Sequence, residues 1–129
     1  MKNVITMTLV VGLMICGVTA PAITQADSDN IARVFFMDPK PGMAGQFEDA
    51  FKIHIEWRKQ HEDPWTWNSY QVVNGDNFGQ YLVRSGNHSW SDLDAADAWT
   101  ARVGANAHFA ATVSPYLESF RSIITEDQP

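Results

Sequence analysis

The chain has 129 residues, a formal net charge of −6 and a single cysteine, with 45% of its residues hydrophobic. That acidic balance argues against nucleic acid or an anionic membrane surface as partner, because both call for a cationic face. One cysteine cannot make a disulfide framework, so the domain must rely on its hydrophobic core.

The chain opens with a targeting segment. Met1-Lys2-Asn3 precedes an apolar run from Val4 to Ala20 that is interrupted only by Thr6, Thr8 and Thr19. A lysine ahead of such a run, followed by small residues, is the layout of a cleavable signal peptide. Ala20-Pro21-Ala22 and Thr24-Gln25-Ala26 both place small side chains at the cleavage positions; the second is preferred, because charged residues begin at Asp27. The run sits at the short limit for a membrane anchor, and bulky Met14 and Ile15 disfavour lipidation at Cys16. The expectation is a signal peptide over residues 1–26 and one exported domain, periplasmic or extracellular, over residues 27–129, with no membrane attachment after cleavage. Cleavage removes Lys2 and Cys16 but no acid, so eight basic residues face fifteen acidic ones and the net charge becomes −7.

In the mature region Ile31 to Met37 reads as a strand apolar on both faces, stopped by Asp38-Pro39-Lys40-Pro41-Gly42. From Met43 to about His61 the period changes: Met43, Phe47, Ala50, Phe51, His54, Ile55 and Arg58 recur at helical spacing, with charged residues between them. Asp63-Pro64 ends that helix. Trp65 to Val73 reads as a second strand, Asn74-Gly75-Asp76-Asn77 as a hairpin turn, and Phe78 to Ser85 as a third strand. Ser91 or Asp92 is expected to cap a second, alanine-rich helix, broken at Gly104 and restarted at Ser114-Pro115. Phe120 to Thr125 is left as a short fourth strand. The order β-α-β-β-α-β predicts an α+β, ferredoxin-like domain, one antiparallel sheet with helices on one face.

These elements resemble the dimeric α+β barrel superfamily, which includes antibiotic-biosynthesis-monooxygenase-like domains. The likeness is carried by Val34-Phe35-Phe36-Met37 running into Pro39-Lys40-Pro41-Gly42, by the helix through Phe47 and Phe51, by the hairpin at Asn74-Gly75, and by Ser89-Trp90-Ser91-Asp92-Leu93-Asp94. It extends over residues 31–126 and is similar to exported bacterial proteins that carry such modules, often in tandem. The resemblance implies a homodimer whose two sheets face each other. The residues agree, since an apolar sheet face opposite the helices needs a cover. If relatives continue beyond Pro129 with a second module, this chain is a single-module or a shortened form, and a lone module has more need of a partner.

Several residue sets invite a functional reading. His54, Trp57, Arg58 and His61 share one helical stripe, able to hold a carboxylate or a metal. The two histidines stand roughly 10 Å apart along the axis, too far for one ion unaided, so a histidine at the core margin and another at the helix end is the simpler reading. Trp99 and His108 approximate the spacing of haem-degrading members of the superfamily, which use a tryptophan and, some ten residues on, an iron-binding histidine. Those members also carry an asparagine on the first strand, which Ile31 to Met37 lacks. Asp92, Asp94 and Asp97 suit the positive end of a helix dipole without catalysis. Glu62-Asp63 beside His61 reads as solvated loop. Asn87-His88-Ser89 fits a glycosylation sequon, and no nucleophile elbow or phosphate loop is present.

The densest aromatic stretch, with Trp65, Trp67, Asn68 and Tyr70, is the candidate ligand pocket, against a solid aromatic dimer core as the simpler alternative. The function expected is therefore a dimeric module that is non-catalytic or binds a small apolar ligand. The alternatives are an oxygenase-type enzyme, cofactor-free or haem-degrading, and a structural module of the cell envelope. No metal is called for, and haem is the one cofactor to weigh.

Overall fold

The computed structural model describes residues 28–128, so the expected signal segment, residues 1–26, lies outside the described residues. Within them the chain runs β1 (Ile31–Pro39), α1 (Ala44–Gln60), β2 (Asn68–Gln71), β3 (Tyr81–His88), α2 (Trp90–Val103), α3 (Ala105–Thr112) and β4 (Leu117–Glu126), with a 3₁₀ turn at Ser114–Tyr116. The strands make one antiparallel sheet in the order β2-β3-β1-β4. This is the ferredoxin-like α+β arrangement that the sequence pattern predicts. Among the described residues no helix is long and apolar enough to cross a membrane.

β1 lies at the centre, with Phe35 opposite Val83 of β3 and Ser122 of β4. Its alternation splits the strand in two. Arg33, Phe35 and Met37 point toward the helices, while Val34 and Phe36 share the opposite face with Leu82, Arg121 and Ile123. α1 buries Phe47, Ala50 and His54, the stripe expected from its spacing. Ser89 caps α2 through a full capping box with Asp92, two residues before the expected Ser91 start. Gly104, at φ 74°, ends α2 in the left-handed conformation and precedes α3, where a residue with a Cβ would be strained. Pro115 falls in the first turn of the 3₁₀ segment, as a restart signal should.

All four strands differ in their limits from the sequence reading, each for a local reason. β2 covers only Asn68–Gln71, because the N–H of Trp65 donates to the Asp63 carboxylate at 3.0 Å and not to a neighbouring strand. β3 begins at Tyr81, since Asn74-Gly75 sits in a wider loop closed by Val72 and Gly79. β4 is ten residues long, where a short strand was expected at Phe120 to Thr125. It pairs with β1 along the whole length of both strands, through Asp38↔Ser119 and Pro39↔Leu117. β1 therefore runs on to Pro39, past the expected stop after Met37 and beyond Tyr81, where β3 begins. The Asp38 carboxylate accepts from Gln80 and Ser119 and ties the three strands together there.

Two apolar clusters hold the helices on the sheet. One gathers Met37, Phe47, Val83, Val113 and Leu117; the other gathers Ile31, Trp65, Leu93 and Ala96. Phe47 is 1% exposed, stacks on Phe51 and meets Tyr81 at a tilt. Phe47→Ala should therefore cost about 3–5 kcal/mol of stability, seen as a lower urea midpoint with an unchanged slope.

Candidate functional site

Between the two clusters, and lined by residues of both, lies a cavity of ≈ 410 Å³. Its walls come from every layer: Phe35 from β1, Phe51 from α1, Trp65 and Trp67 from the segment before β2, Phe109 from α3 and Phe120 from β4. The aromatic rings also touch one another, with Phe35 5.4 Å from both Trp67 and Phe120, and Phe109 5.0 Å from Phe120. Polar groups are few and spaced apart: Arg33, His54, Arg58, Asp97, Thr100, Asn106 and Ser114. An apolar cleft of this size with isolated polar handles is the usual make-up of a small-molecule site.

Asp63 organises one wall. Its carboxylate receives Arg58 Nε at 2.5 Å, Trp67 Nε1 at 2.9 Å and the Trp65 backbone N–H at 3.0 Å. The Arg58 guanidinium lies over the rings of Trp67 and Trp99, at 5.2 and 4.8 Å, a cation–π arrangement that fixes both indoles. Trp99 in turn donates its Nε1–H to the His61 carbonyl at 2.9 Å. The end of α1, the following loop and α2 are thereby locked together. Asp63, expected to be a solvated loop acid, is instead 5% exposed at its side chain. The signal for it lay in its place between a helix end and two tryptophans.

The histidine stripe of α1 divides. His54 lines the cavity, while Trp57 and His61 stack on each other at 4.0 Å and His61 is exposed. His61 Nδ1 is held by the Trp57 carbonyl at 2.7 Å. The unforeseen partner of His54 is His108 of α3, Nδ1 to Nδ1 at 2.8 Å, with His108 also stacked on Trp57 at 4.3 Å. One imidazole donates its N–H to the lone pair of the other. Burial, with the charges of Arg58 and His108 adding to it, lowers His54 to about 4, and burial lowers His108 as well. His54 is thus uncharged at neutral pH. Among the described residues no three His, Cys, Asp or Glu side chains converge as metal ligands.

Of the four residues expected to form the aromatic pocket, Trp65 and Trp67 line the cavity. Asn68 and Tyr70 are exposed and pair with Arg84 and Leu82 on the sheet face away from the helices. Asp97, expected only to complement a helix dipole, reaches Arg33 in a fork of 2.6 and 3.3 Å at the cavity wall. Asp92 is not the cap itself but its partner three residues on, and the backbone and hydroxyl of Ser89 hold its carboxyl below the usual range. Ser85 Oγ meets His88 Nε2 at 2.7 Å, and His88 stacks on Trp65 at 3.8 Å. Ser85 is only 1% exposed, so this pair supports the Trp65 wall and offers no accessible nucleophile.

Haem does not fit the pair proposed for it. Neither His108 nor Trp99 lines the cavity, and β1 carries no asparagine.

No protein-family model and no curated protein matches the sequence. Solved structures do match the fold. An uncharacterised NIPSNAP-like domain protein from Burkholderia xenovorans superposes with a TM-score of 0.58 and 16% identity, over 76% of this chain and 84% of that one. A candidate antibiotic biosynthesis monooxygenase from Bordetella bronchiseptica gives a TM-score of 0.57 at 7% identity, over 77% and 97% of the two chains. A further candidate monooxygenase, from Caulobacter crescentus, gives 0.54 at 17%, over 77% and 90%. The chain therefore has the ferredoxin-like α+β fold of these proteins, the resemblance carried by its sequence. At such identities the likeness speaks for fold alone.

The His54 shift gives folding a pH dependence. The unfolded chain takes up protons on histidine from about pH 6.5 downward, whereas folded His54 resists until about 4. Stability is complete above the first value and declines as pH falls toward the second. Urea midpoints should drop across that window, with a shallower slope in His54→Phe, whose ring takes no proton. Equal slopes would contradict the buried, neutral imidazole.

Proposed function

We propose that the protein is an exported, homodimeric binding module whose cavity between helices and sheet holds a small, largely apolar and aromatic ligand. The observation that carries this reading is the cavity itself. Six aromatic side chains form its wall, yet they leave ≈ 410 Å³ unfilled, where a purely structural core would close the gap. The tryptophan wall is fixed by Asp63 before any ligand arrives, which limits the ordering cost of binding. Export rests on the layout of residues 1–26. Dimerisation rests on the sheet face opposite the helices, where Phe36, Leu82, Tyr70 and Ile123 are brought onto one side by the register. Tyr70 is 57% exposed there.

N-phenyl-1-naphthylamine, a neutral aromatic dye that brightens in apolar sites, should bind one per chain and saturate. Thr100→Phe, which fills the cavity from α2, should weaken it about tenfold or more, the effect of losing good apolar contacts. Unchanged binding in that variant would move the ligand site elsewhere. For the dimer, sedimentation velocity at micromolar concentration should give twice the chain mass, and Leu82→Glu should halve it; a wild-type monomer would contradict the sheet-to-sheet pairing.

A further inference from the structure

We propose that the cavity is selective for aromatic or apolar carboxylates, with Arg33 receiving the carboxylate in exchange for Asp97; this rests on the cavity being the ligand site. Both arginines of the wall have resident carboxylates, but the two pairs differ in kind. Arg58 is committed, because Asp63 is 5% exposed and is also held by Trp65 and Trp67. Arg33 is only 18% exposed at its side chain, whereas its partner Asp97 is 59% exposed. A buried guanidinium needs an anion and cannot readily leave the wall. An exposed aspartate loses little by returning to water.

The geometry of the Arg33 pair leaves room for the exchange. Asp97 takes the guanidinium end-on, through Nη1 and Nη2. Nε is buried and has no hydrogen-bond partner, so a ligand reaches the guanidinium at the Nη end that the exposed Asp97 occupies. A ligand carboxylate that displaces Asp97 takes over the same end-on, bidentate contact through Nη1 and Nη2. The apolar body of the same ligand then lies among Phe35, Trp65 and Trp67, with Trp65 5.8 Å from the Arg33 carbon. Arg33 is thus a specificity-determining residue, and Asp97 holds its place until the ligand comes.

The test is calorimetric titration of the protein with 1-naphthoate and with 1-naphthamide, which share ring and shape but differ in charge. Naphthoate should bind about tenfold more tightly than naphthamide, the worth of one charge-assisted contact. Asp97→Asn, an exposed change that leaves Arg33 without its competitor, should tighten naphthoate further and leave naphthamide within about twofold. Arg33→Met should bring naphthoate down to the level of naphthamide. Equal binding of the two compounds, or no response to Asp97→Asn, would overturn the carboxylate assignment and leave the cavity standing as a neutral ligand site. Binding of neither would overturn both the cavity reading and this proposal.

Discussion

The carboxylate of Asp63 is the contact on which the rest of the site depends. It is taken out of water just beyond α1, where an isolated charge would be costly, and it is compensated by Arg58, by the Trp67 indole and by the backbone of Trp65. Because the Arg58 guanidinium also lies over the rings of Trp67 and Trp99, one ion pair positions both indoles at once. The same contact withdraws the Trp65 N–H from strand pairing. The chain therefore crosses the layer between sheet and helices before joining the sheet at Asn68, and the two tryptophans are left facing a cavity.

Much of the scaffold was legible in the sequence where a single residue type dictates the backbone. The spacing of Phe47, Ala50 and His54 set the buried face of α1, Gly104 divided α2 from α3, and Pro115 marked the restart. Strand limits were harder to read, because pairing partners settle them. β4 takes in Leu117, Glu118 and Ser119 ahead of the expected start at Phe120, because full pairing with β1 makes it the longest strand. Trp65 and Trp67 were recognisable as a pocket wall from aromatic density alone. Asn68 and Tyr70 were grouped with them because alternation within a supposed strand could not tell which face would meet the helices.

The charged parts of the site were largely hidden for the same reason. His54 and His108 meet across two helices and lie 54 residues apart in the chain, so no local spacing announces them. Arg33 and Asp97 are likewise separated by 64 residues. Locally, His54 reads as a histidine at the core margin and Asp97 as a helix-dipole charge, and neither reading names its partner. The fold is shared with proteins described as NIPSNAP-like and as candidate monooxygenases, but the chemistry of this chain lies in these long-range pairs and not in the shared frame.

The central claim is that the cavity beside Trp65 and Trp67 is a ligand site fixed in advance by Asp63. The chain has five tryptophans, so its indole N–H groups give five reporters at known places. Proton–nitrogen correlation spectra recorded during titration with 1-naphthamide, which is neutral and so independent of the choice of head group, test the claim most directly. The signals of Trp65 and Trp67 should shift together and saturate, while that of Trp90, which lies outside the cavity and is 54% exposed, stays in place. Movement of Trp90 with Trp65 and Trp67 unmoved, or no saturable shift at all, would contradict it.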